Sequence, residues 1–477
     1  MTDNSEHMRS FTSNTSQLLQ GFLFDKSSHV LQIGPCDGEL TRYLGEYFQS
    51  VVCLEPDTDS ASKSQSYEKH MENVSVICAP FQGTTFRETF DIIFSIGSID
   101  CCNNGNMDDG SLRKAFMSAS ELLKPDGVFI LAINAQHLGY KRIKELLAQQ
   151  FHDIRYYYPI PEFSAPACIL SEELLNRARL DELVAGFLSK GNILSDESPA
   201  MADSDDEQGL FRMIDTLFVV AGKQSTQSVR ADWLAIMYAK QRIPSLQTVT
   251  RIYEDDNGAL RVNKTPRYHT GPVHLSKLTL HPLDSPWIDG ISLHQQILMN
   301  CSEQGMTLED IFSPCKIWID TMRDLCVTKG EDLWIDGRYI DSIWKNCMIV
   351  DSQCRFFDYE WEWNESIPFR PFLIRALMYF LSDAKLLDAP ASSINFKPVW
   401  RLCVDIAGMF GIRLQIRDFA ACIALEGELQ KIVTNTPRIK TDISLVLFLV
   451  SIVSAGKWPE WRSGLGLKTR KQDVDLE

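Results

Sequence analysis

A regular alternation between apolar runs and amphipathic stretches, from about residue 28 to 133, most constrains the fold of this chain. The apolar runs are rich in branched residues and read HVLQIG, SVVCLE, VSVICA, FDIIFSI and GVFILAI. Strands that alternate with helices in this way form a parallel sheet covered on both faces. Two more candidate strands follow, around 154–158 and 211–221. The sequence therefore predicts an α/β domain with a doubly wound, mostly parallel sheet.

The length of 477 residues exceeds that of one ordinary domain, so two or three domains are expected. The formal net charge of −16 argues against a protein that coats nucleic acid, because phosphate binding requires a basic face. The thirteen cysteines lack metal-ligand spacing, and no secretion signal is evident, so reduced thiols in the core are expected. We therefore expect a cytoplasmic protein without a nucleic-acid partner.

A change of pattern near residue 228 marks a second domain. WLAIMYAKQR, TVTRIYED and GALRVNKTP indicate three strands, with a hairpin signal at DDNG, and mostly helical sequence follows from about residue 371. We predict a first domain at 1–224, with an acidic flexible insertion at 191–208, and a second at 225–477. The second would have a small lobe at about 228–288 and a large helical lobe at about 289–477.

The longest apolar run, ISLVLFLVSIVSA at 443–455, has thirteen residues. This is too short to span a bilayer, which takes about 20 residues. We predict a buried core helix there, and a membrane-surface or partner contact is the alternative. A peripheral position at the inner face of the membrane is therefore an open expectation, without a transmembrane segment.

The stretch VLQIGPCDGELTRYL, at 30–44, predicts a strand, a glycine-containing turn and a helix. Gly34 and Gly38 allow the backbone to turn sharply and to approach a ligand closely. A second strand ends at Glu55, where a carboxylate can accept both ribose hydroxyls of a nucleoside. Asp37 lies in the turn between the two glycines. The pattern predicts a nucleoside-cofactor site built from these four residues.

These residues, together with the FDIIFSIGSI strand and LLKPDGVFIL at 122–131, resemble class I S-adenosylmethionine (SAM)-dependent methyltransferases over residues 10–222. The resemblance implies a Rossmann-like fold and SAM as the cofactor. The chain departs from the family at Gln32, where an acidic residue is usual, and at Cys36, where a glycine is usual. An acidic residue after the third strand is also absent from ICAPF. A degenerate methyltransferase fold that binds no cofactor is the alternative.

Two further residues lie where the family places substrate contacts. Asp100 ends the FSIGSID segment, and His137 follows the LAINA strand. Methyl transfer mainly requires positioning of an acceptor in line with the methyl group, sometimes with a general base. For each of the two residues, an exposed loop position without a functional role is an equally supported interpretation.

The second domain carries a D-x-x-x-x-N … D pattern formed by Asp341, Asn346 and Asp358, with Lys264 on an earlier predicted strand. Phosphoryl transfer from ATP requires a carboxylate near the attacking hydroxyl, two oxygen ligands for Mg²⁺ and a lysine on the phosphates. The order and spacing resemble the protein-kinase-like fold shared with aminoglycoside phosphotransferases, over residues 228–435. That resemblance implies Asp341 as the catalytic residue, Asn346 and Asp358 as metal ligands, and Lys264 as the phosphate contact.

Other parts of this domain bear on the kinase-like interpretation. PWIDGISLHQQI is typical of the crossing between the two lobes. The resemblance places a helix, which would carry the glutamate partner of Lys264, between His269 and His281. No such glutamate can be named, no glycine-rich loop precedes Lys264, and the D-F-G-like position reads D-Y-E. An inactive pseudokinase lobe and a chance match are the alternatives.

Segments from both halves, including RYYYPIPEFSAPACILSEELL, FFDYEWEW and FAACIALEGELQKIV, resemble bifunctional methyltransferase/kinase proteins that modify bacterial O-antigen. The resemblance implies a polysaccharide or lipid-linked glycan substrate, glycosyltransferase partners, and the cofactors SAM, ATP and Mg²⁺. Phosphorylation and methylation of the growing glycan would end its extension. The alternatives are a methyltransferase whose second lobe only binds substrate, and a non-catalytic scaffold for glycosyltransferases.

Overall fold

The computed structural model describes residues 16–34, 38–68, 71–101, 108–135, 139–177, 216–239, 241–303, 305–384, 391, 393–394 and 397–453. The strands up to residue 238 are β1 Leu23–Phe24, β2 His29–Ile33, β3 Ser50–Glu55, β4 Val74–Cys78, β5 Phe90–Ile96, β6 Leu123–Asn134, β7 Asp153–Ile160, β8 Cys168–Ser171, β9 Thr216–Gly222, β10 Val229–Arg230 and β11 Ala235–Tyr238. The later strands are β12 Thr248–Glu254, β13 Leu260–Pro266, β14 Val273–His274, β15 Leu278–Leu280, β16 Leu283–Pro286, β17 Val327–Lys329, β18 Asp332–Ile335, β19 Cys347–Val350, β20 Gln353–Phe356, β21 Trp361–Trp363 and β22 Ile367–Pro368.

The described residues form two compact units. The first comprises residues 16–177, 216–238 and 251–254, and the second comprises 239, 241–250 and the described residues from 255 to 453. Residues 225–238 thus group with the first unit, whereas the sequence-based boundary follows residue 224. That boundary, taken as a domain boundary, stays a prediction. The predicted acidic insertion at 191–208 lies outside the described residues.

The first unit is built on a mixed sheet with the strand order β4-β3-β2-β5-β6-β9-β7-β8-β11. Strands β2 to β6 pair in parallel, whereas β9 runs antiparallel to both β6 and β7. Because β2 has β3 on one side and β5 on the other, the order of the strands reverses at β2. Such a reversal opens a crevice beyond the carboxyl ends of the strands, where ligands bind in open α/β sheets.

The helices of the first unit follow local sequence signals. They span Ser16–Leu19, Glu39–Tyr47, Thr58–Glu68, Ser98–Cys101, Asp109–Leu122, Tyr140–Leu147 and Glu172–Leu175. The Asp109–Leu122 helix begins after Asp108, whose carboxylate accepts a hydrogen bond from the Ser111 amide at 2.7 Å. That contact satisfies one of the amides left open at a helix start. The helix buries residues spaced by three and four positions, which identifies the face turned to the core: Leu112, Ala115, Phe116 and Ala119.

The second unit combines short antiparallel strands with helices. The helices span Leu293–Ser302, Leu308–Phe312, Cys315–Asp324, Phe369–Ala384, Val399–Met409, Ile416–Thr434 and Arg438–Val450. They pack around a core that contains Trp318, Trp344, Phe372 and Phe380. Strands β19 and β20 form a hairpin, whose turn residues Asp351 and Ser352 have φ of 51° and 60°. Two consecutive positive φ values match the twist that a two-residue hairpin requires.

The sequence predicts a buried core helix at 443–455. The structure places a helix there, but the predicted burial is wrong. The Arg438–Val450 helix buries Phe448 and Leu449, but its other face leaves Ile443 56% exposed and Val450 58% exposed. The apolar residues therefore surround the helix, and the described part of the chain covers only one face of it. None of the helices in the described part of the chain has both the length and the apolar composition that a membrane crossing requires.

His294 makes a buried polar contact in the second unit. His294 is 3% exposed, and its Nε2 lies 3.1 Å from Asp383, which also contacts Lys345 at 3.3 Å. Cys347 and Cys354 lie on the paired strands β19 and β20. The ten cysteines whose side chains the structure describes are free thiols, and seven of them are buried, as the sequence predicts.

Candidate functional site

The first candidate site lies at the carboxyl ends of β2 and β3. Gly34 follows β2 with φ of 65°, and its amide donates to the Leu54 carbonyl at 2.9 Å. A Cβ at Gly34 would lie 2.4 Å from the Ser98 Cβ, so this position excludes every side chain. Gly38 has φ of 80° and begins the Glu39–Tyr47 helix. Both predicted glycines thus occupy backbone conformations that favour glycine.

Glu55 is the last residue of β3, as the sequence predicts, and it follows Leu54, whose carbonyl accepts the Gly34 amide. Its side chain is buried, and one carboxylate oxygen accepts a hydrogen bond from the Asp57 amide at 3.0 Å. The contact with the Asp57 amide holds the carboxylate at the carboxyl end of β3, the strand next to β2, where the strand order reverses. A carboxylate so placed can accept the two hydroxyls of a ribose. The predicted residues Asp37 and His137 lie outside the described residues, as does the side chain of Asp100.

Gln32 occupies the strand position at which an acidic residue was expected. It is 1% exposed, and its Oε1 accepts hydrogen bonds from the Thr41 hydroxyl at 2.9 Å and from the Cys53 thiol at 3.4 Å. The buried Nε2 group makes no hydrogen bond within the part of the chain that the structure describes. Through its side-chain oxygen, Gln32 in β2 therefore contacts both β3 and the Glu39–Tyr47 helix.

The second candidate site lies between β13 and the segment that joins β20 to β21. Lys264 in β13 is 8% exposed, and its Nζ donates to Oδ1 of Asp358 and lies 3.1 Å from Oε1 of Glu360. Asp358 has φ of 64°, an unusual conformation for a residue other than glycine. Burial disfavours the ammonium, but the two carboxylates outweigh it and raise the pKa of Lys264. Lys264 is therefore a fully charged cation within the site.

Glu360 is held on its other side by Arg242. The Arg242 guanidinium donates to both carboxylate oxygens, at 2.5 and 3.1 Å, and its Cζ lies 4.6 Å from the Trp361 ring centroid. Glu360 is 1% exposed. Burial alone would raise the pKa of Glu360, but Lys264 and Arg242 outweigh that effect and lower it. The glutamate is therefore an anion locked between two cations.

Asp341 lies in the same cluster and is held by a different arginine. Arg375 donates to the Asp341 carboxylate at 3.1 Å and to Glu426 at 2.8 Å. Burial raises the pKa of Asp341, Arg375 opposes the shift, and the charge of Asp358 adds to it. The resemblance implies that Asp341 is the catalytic residue, and that role stays a prediction.

The β19–β20 hairpin brings the two predicted metal ligands to one end. Cys347 pairs with Phe356 at the base of the hairpin, and the Phe357 amide donates to the Asn346 carbonyl at 3.1 Å. The Asn346 side-chain amide donates to the Asp341 carbonyl at 2.9 Å, which leaves the side-chain oxygen as the candidate ligand. These contacts bring Asn346 close to Asp341 and to Phe357, the residue before Asp358, and the metal-binding role of Asn346 and Asp358 stays a prediction.

The donor set of this site fits Mg²⁺ in part. Oxygens from one carboxylate and one amide are hard ligands, and Mg²⁺ commonly takes one or two protein carboxylates together with water and phosphate oxygens. Within the described residues, no three His, Cys, Asp or Glu side chains are arranged to hold a metal by themselves. Asp358 and Asn346 would therefore hold the ion only together with a phosphate ligand.

One structural expectation at this site is wrong. His269–His281 contains the strands β14 and β15 instead of the expected helix. Strand β15 pairs with β21, with Leu280 opposite Trp361, so this segment completes a small sheet. A helix with a glutamate for Lys264 is therefore absent from 269–281, and the partner comes from Glu360.

The sequence analysis missed Glu360, Arg242 and Arg375. For Glu360 a signal was present, since the D-Y-E sequence places it two residues after Asp358 and immediately before a strand. The closeness of the two acidic residues along the chain allows both to reach the same lysine. Arg242 and Arg375 lie more than 30 residues along the chain from their partners, and no local sequence pattern predicts such contacts.

Comparisons with known proteins support the interpretation of the first unit. Residues 31–131 match the family model described as "Methyltransferase domain". No curated protein matches the chain. The family match ends within the first unit and does not extend to the second.

Similar solved structures include three proteins at low identity. N-methyltransferase NodS from Bradyrhizobium japonicum, in complex with S-adenosyl-l-homocysteine, is 14% identical, with 32% of this chain and 83% of that chain covered and a TM-score of 0.26. A TehB-like SAM-dependent methyltransferase from Corynebacterium glutamicum is 15% identical, with 32% and 81% covered and a TM-score of 0.27. The YcgJ protein from Bacillus subtilis is 14% identical, with 46% and 99% covered and a TM-score of 0.27.

These TM-scores are too low to support an argument about function, so the assignment depends on the family match and on the arrangement of the sheet. The matched residues include most of β2, all of β3 to β5 and most of β6, which surround the reversal of strand order. Residues 31–131 of the first unit are therefore similar to methyltransferase domains, and the sheet that contains them has a Rossmann-like arrangement.

Proposed function

We propose that the first unit transfers a methyl group from SAM to an acceptor oxygen or nitrogen. The observation that carries the proposal is the position of Gly34 and of the Glu55 carboxylate at the carboxyl ends of the neighbouring strands β2 and β3, next to the reversal of strand order. This crevice is where an α/β sheet of this order binds a nucleoside ligand. SAM would supply the activated methyl group. The chain would supply the positioning, which accounts for much of the rate of such transfers.

The proposed roles follow from the geometry. Glu55 would accept hydrogen bonds from the ribose hydroxyls, and the absence of a side chain at Gly34 would let the ligand approach the backbone. Gly38 would complete the turn. For Asp37, which lies outside the described residues, the proposal depends on the sequence alone, and it would partly replace the acidic residue that Gln32 does not provide.

Isothermal titration of the full chain with SAM tests this proposal. Loss of a charged hydrogen-bond partner typically costs about 1.5–3 kcal/mol, so Glu55→Gln should weaken SAM binding about 10- to 100-fold. Glu46→Gln changes an exposed carboxylate on the neighbouring helix and is the matched control. Absence of SAM binding by the wild-type chain, or equal affinities for wild type and Glu55→Gln, would contradict the proposed site.

A second candidate function is favoured by the cluster around Lys264. We propose that the second unit binds a magnesium–nucleotide complex and acts as a kinase-like phosphotransferase. The contact between Lys264 and Asp358, with Asn346 at the same end of the hairpin, supports this role. Asp341 would orient the acceptor hydroxyl, and Asp358 and Asn346 would hold the ion against the phosphates.

Titration with ATP in the presence and absence of MgCl₂ tests this second function. Asp358→Ala should abolish magnesium-dependent ATP binding and leave SAM binding unchanged. Asp324→Ala, which changes an exposed aspartate at a helix end, should alter neither. If Asp358→Ala keeps magnesium-dependent binding, the metal role of Asp358 is excluded.

For the substrate, we propose a bacterial surface polysaccharide or its lipid-linked precursor, as in O-antigen chain termination. The support is the sequence resemblance of segments in both halves. Tethering the two activities would raise the effective concentration of one site for the product of the other. A cytoplasmic protein, peripheral at the inner face of the membrane beside glycosyltransferases, would suit this task. SAM binding without ATP binding would favour a methyltransferase with an inactive second lobe, and binding of neither would favour a scaffold.

A further inference from the structure

The lysine of the second site is shared between two carboxylates that come from one tripeptide. Lys264 contacts Asp358 and Glu360, the first and last residues of Asp358-Tyr359-Glu360. One ammonium therefore neutralises both the predicted metal ligand and a buried glutamate. The two contacts are not equivalent, because the Asp358 side chain is 33% exposed and the Glu360 side chain is 1% exposed.

A divalent cation at Asp358 would compete with Lys264 for the same carboxylate oxygen. Two positive charges within contact distance repel each other strongly where water is scarce. Lys264 would then lose Asp358 as its partner when the ion binds. Glu360 would remain, since its Oε1 already lies 3.1 Å from the Lys264 Nζ.

Glu360 is fixed well enough to hold the lysine alone. Arg242 donates to both of its oxygens, and a fork of this kind restricts the carboxylate in direction as well as in position. Arg242 is itself restrained by the Trp361 ring and by the Thr248 hydroxyl, which lies 3.2 Å from its Nη1. The carboxylate is therefore preorganised before any ligand arrives.

We propose that Glu360, clamped by Arg242, is the positioning residue that keeps Lys264 directed at the phosphates once a divalent cation occupies Asp358. The ligand class is a nucleoside triphosphate with its divalent ion, and the proposal rests on the nucleotide site of the proposed function. Glu360 replaces a helix-borne glutamate, which the strands of 269–281 cannot provide. The metal ligand and the partner of the lysine then lie on one short segment, so their spacing is set by the backbone.

A double-mutant cycle on the full chain tests this role, with magnesium–ATP affinity measured by calorimetry. Loss of a charged contact predicts that Glu360→Gln and Lys264→Met each weaken binding about tenfold or more. Because Glu360 acts through Lys264, the double variant should bind no more weakly than Lys264→Met alone. Glu362→Gln, two residues along the chain and half-exposed beside His281 at 2.7 Å, should bind as the wild type does.

Thermal unfolding of each variant separates this role from a general loss of structure. If Glu360→Gln does not fold, Arg242→Gln replaces it in the cycle, since it leaves the Lys264–Glu360 contact and removes only the clamp. Arg242→Gln should weaken magnesium–ATP binding less than tenfold. The same substitution made in the Lys264→Met variant should cause no further loss of affinity.

The outcomes distinguish the inference from the proposed function. Additive losses in the double variant, or a wild-type affinity in Glu360→Gln, would overturn the positioning role and leave the nucleotide site intact. Absence of magnesium–ATP binding by the wild-type chain would overturn both.

Discussion

Replacement of Gly34 by alanine tests the geometry of the methyltransferase site most directly. Gly34 has φ of 65°, and a left-handed conformation costs a residue with a Cβ about 1–2 kcal/mol. The added Cβ would also lie 2.4 Å from the Ser98 Cβ, which cannot rotate away as the end of a long side chain could. Overpacking of this kind costs about 1–3 kcal/mol. Gly34→Ala should therefore destabilise the first unit by about 2–5 kcal/mol.

Gly83 offers a matched control for the backbone cost. Its φ is 93°, and a Cβ there would meet nothing within 4 Å. Gly83→Ala should therefore cost only the conformational part, about 1–2 kcal/mol. The difference between the two variants isolates the contact with Ser98.

Hydrogen exchange measured by mass spectrometry suits this comparison, because it reports the opening of individual strands in a chain with two units. Peptides that cover β2 and β5 should lose more protection in Gly34→Ala than in Gly83→Ala. The Gly34→Ala, Ser98→Gly double variant should recover the part due to the clash. Equal protection in Gly34→Ala and Gly83→Ala would refute the close approach of Gly34 to Ser98.

Three further predictions concern the second unit. Although burial raises the pKa of Asp383, a histidine and a lysine outweigh it and lower that pKa to about 2. The stability that the Asp383 carboxylate contributes is present above about pH 4 and lost as the pH falls through about 2. Asp383→Asn should therefore cost about 1–2 kcal/mol at pH 7 and should reduce the loss of stability between about pH 4 and 2 in acid unfolding. The Cys347 contact lowers the pKa of Cys354, so Cys354 should be alkylated faster at neutral pH than an ordinary cysteine, and Cys347→Ala should slow that reaction. In urea unfolding, exposed Ile443→Asn should change stability by less than about 0.5 kcal/mol, whereas buried Phe448→Ala should cost about 3–5 kcal/mol.

Part of the methyltransferase site could be predicted because its signals are local. A glycine that follows an apolar run, and an acidic residue at the end of the next run, identify the ends of two strands without knowledge of their neighbours. The structure confirms both strands and both glycine conformations. The hairpin between Asn346 and Asp358 is also a local feature, because its two strands are joined by only two turn residues.

Contacts between distant residues could not be predicted in the same way. Arg242 and Glu360 are separated by more than 100 residues, and the sequence contains many arginines and glutamates that could have paired. The interval 269–281 was wrongly assigned a helix because its pairing partner, Trp361–Trp363, lies far along the chain. Strand formation there depends on that partner, and tertiary context overrides local preference in such segments.

Within residues 28–133, residue type and the period of the apolar positions were enough to predict the alternation of strands and helices and the turns that need glycine. Which strand lies beside β2, which glutamate neutralises Lys264, and which face of the Arg438–Val450 helix is covered depend on the folded chain. Burial and ion pairing are properties of neighbours in space. A pattern of residues states what a segment can contact, and the packing of the chain selects the contact that is made.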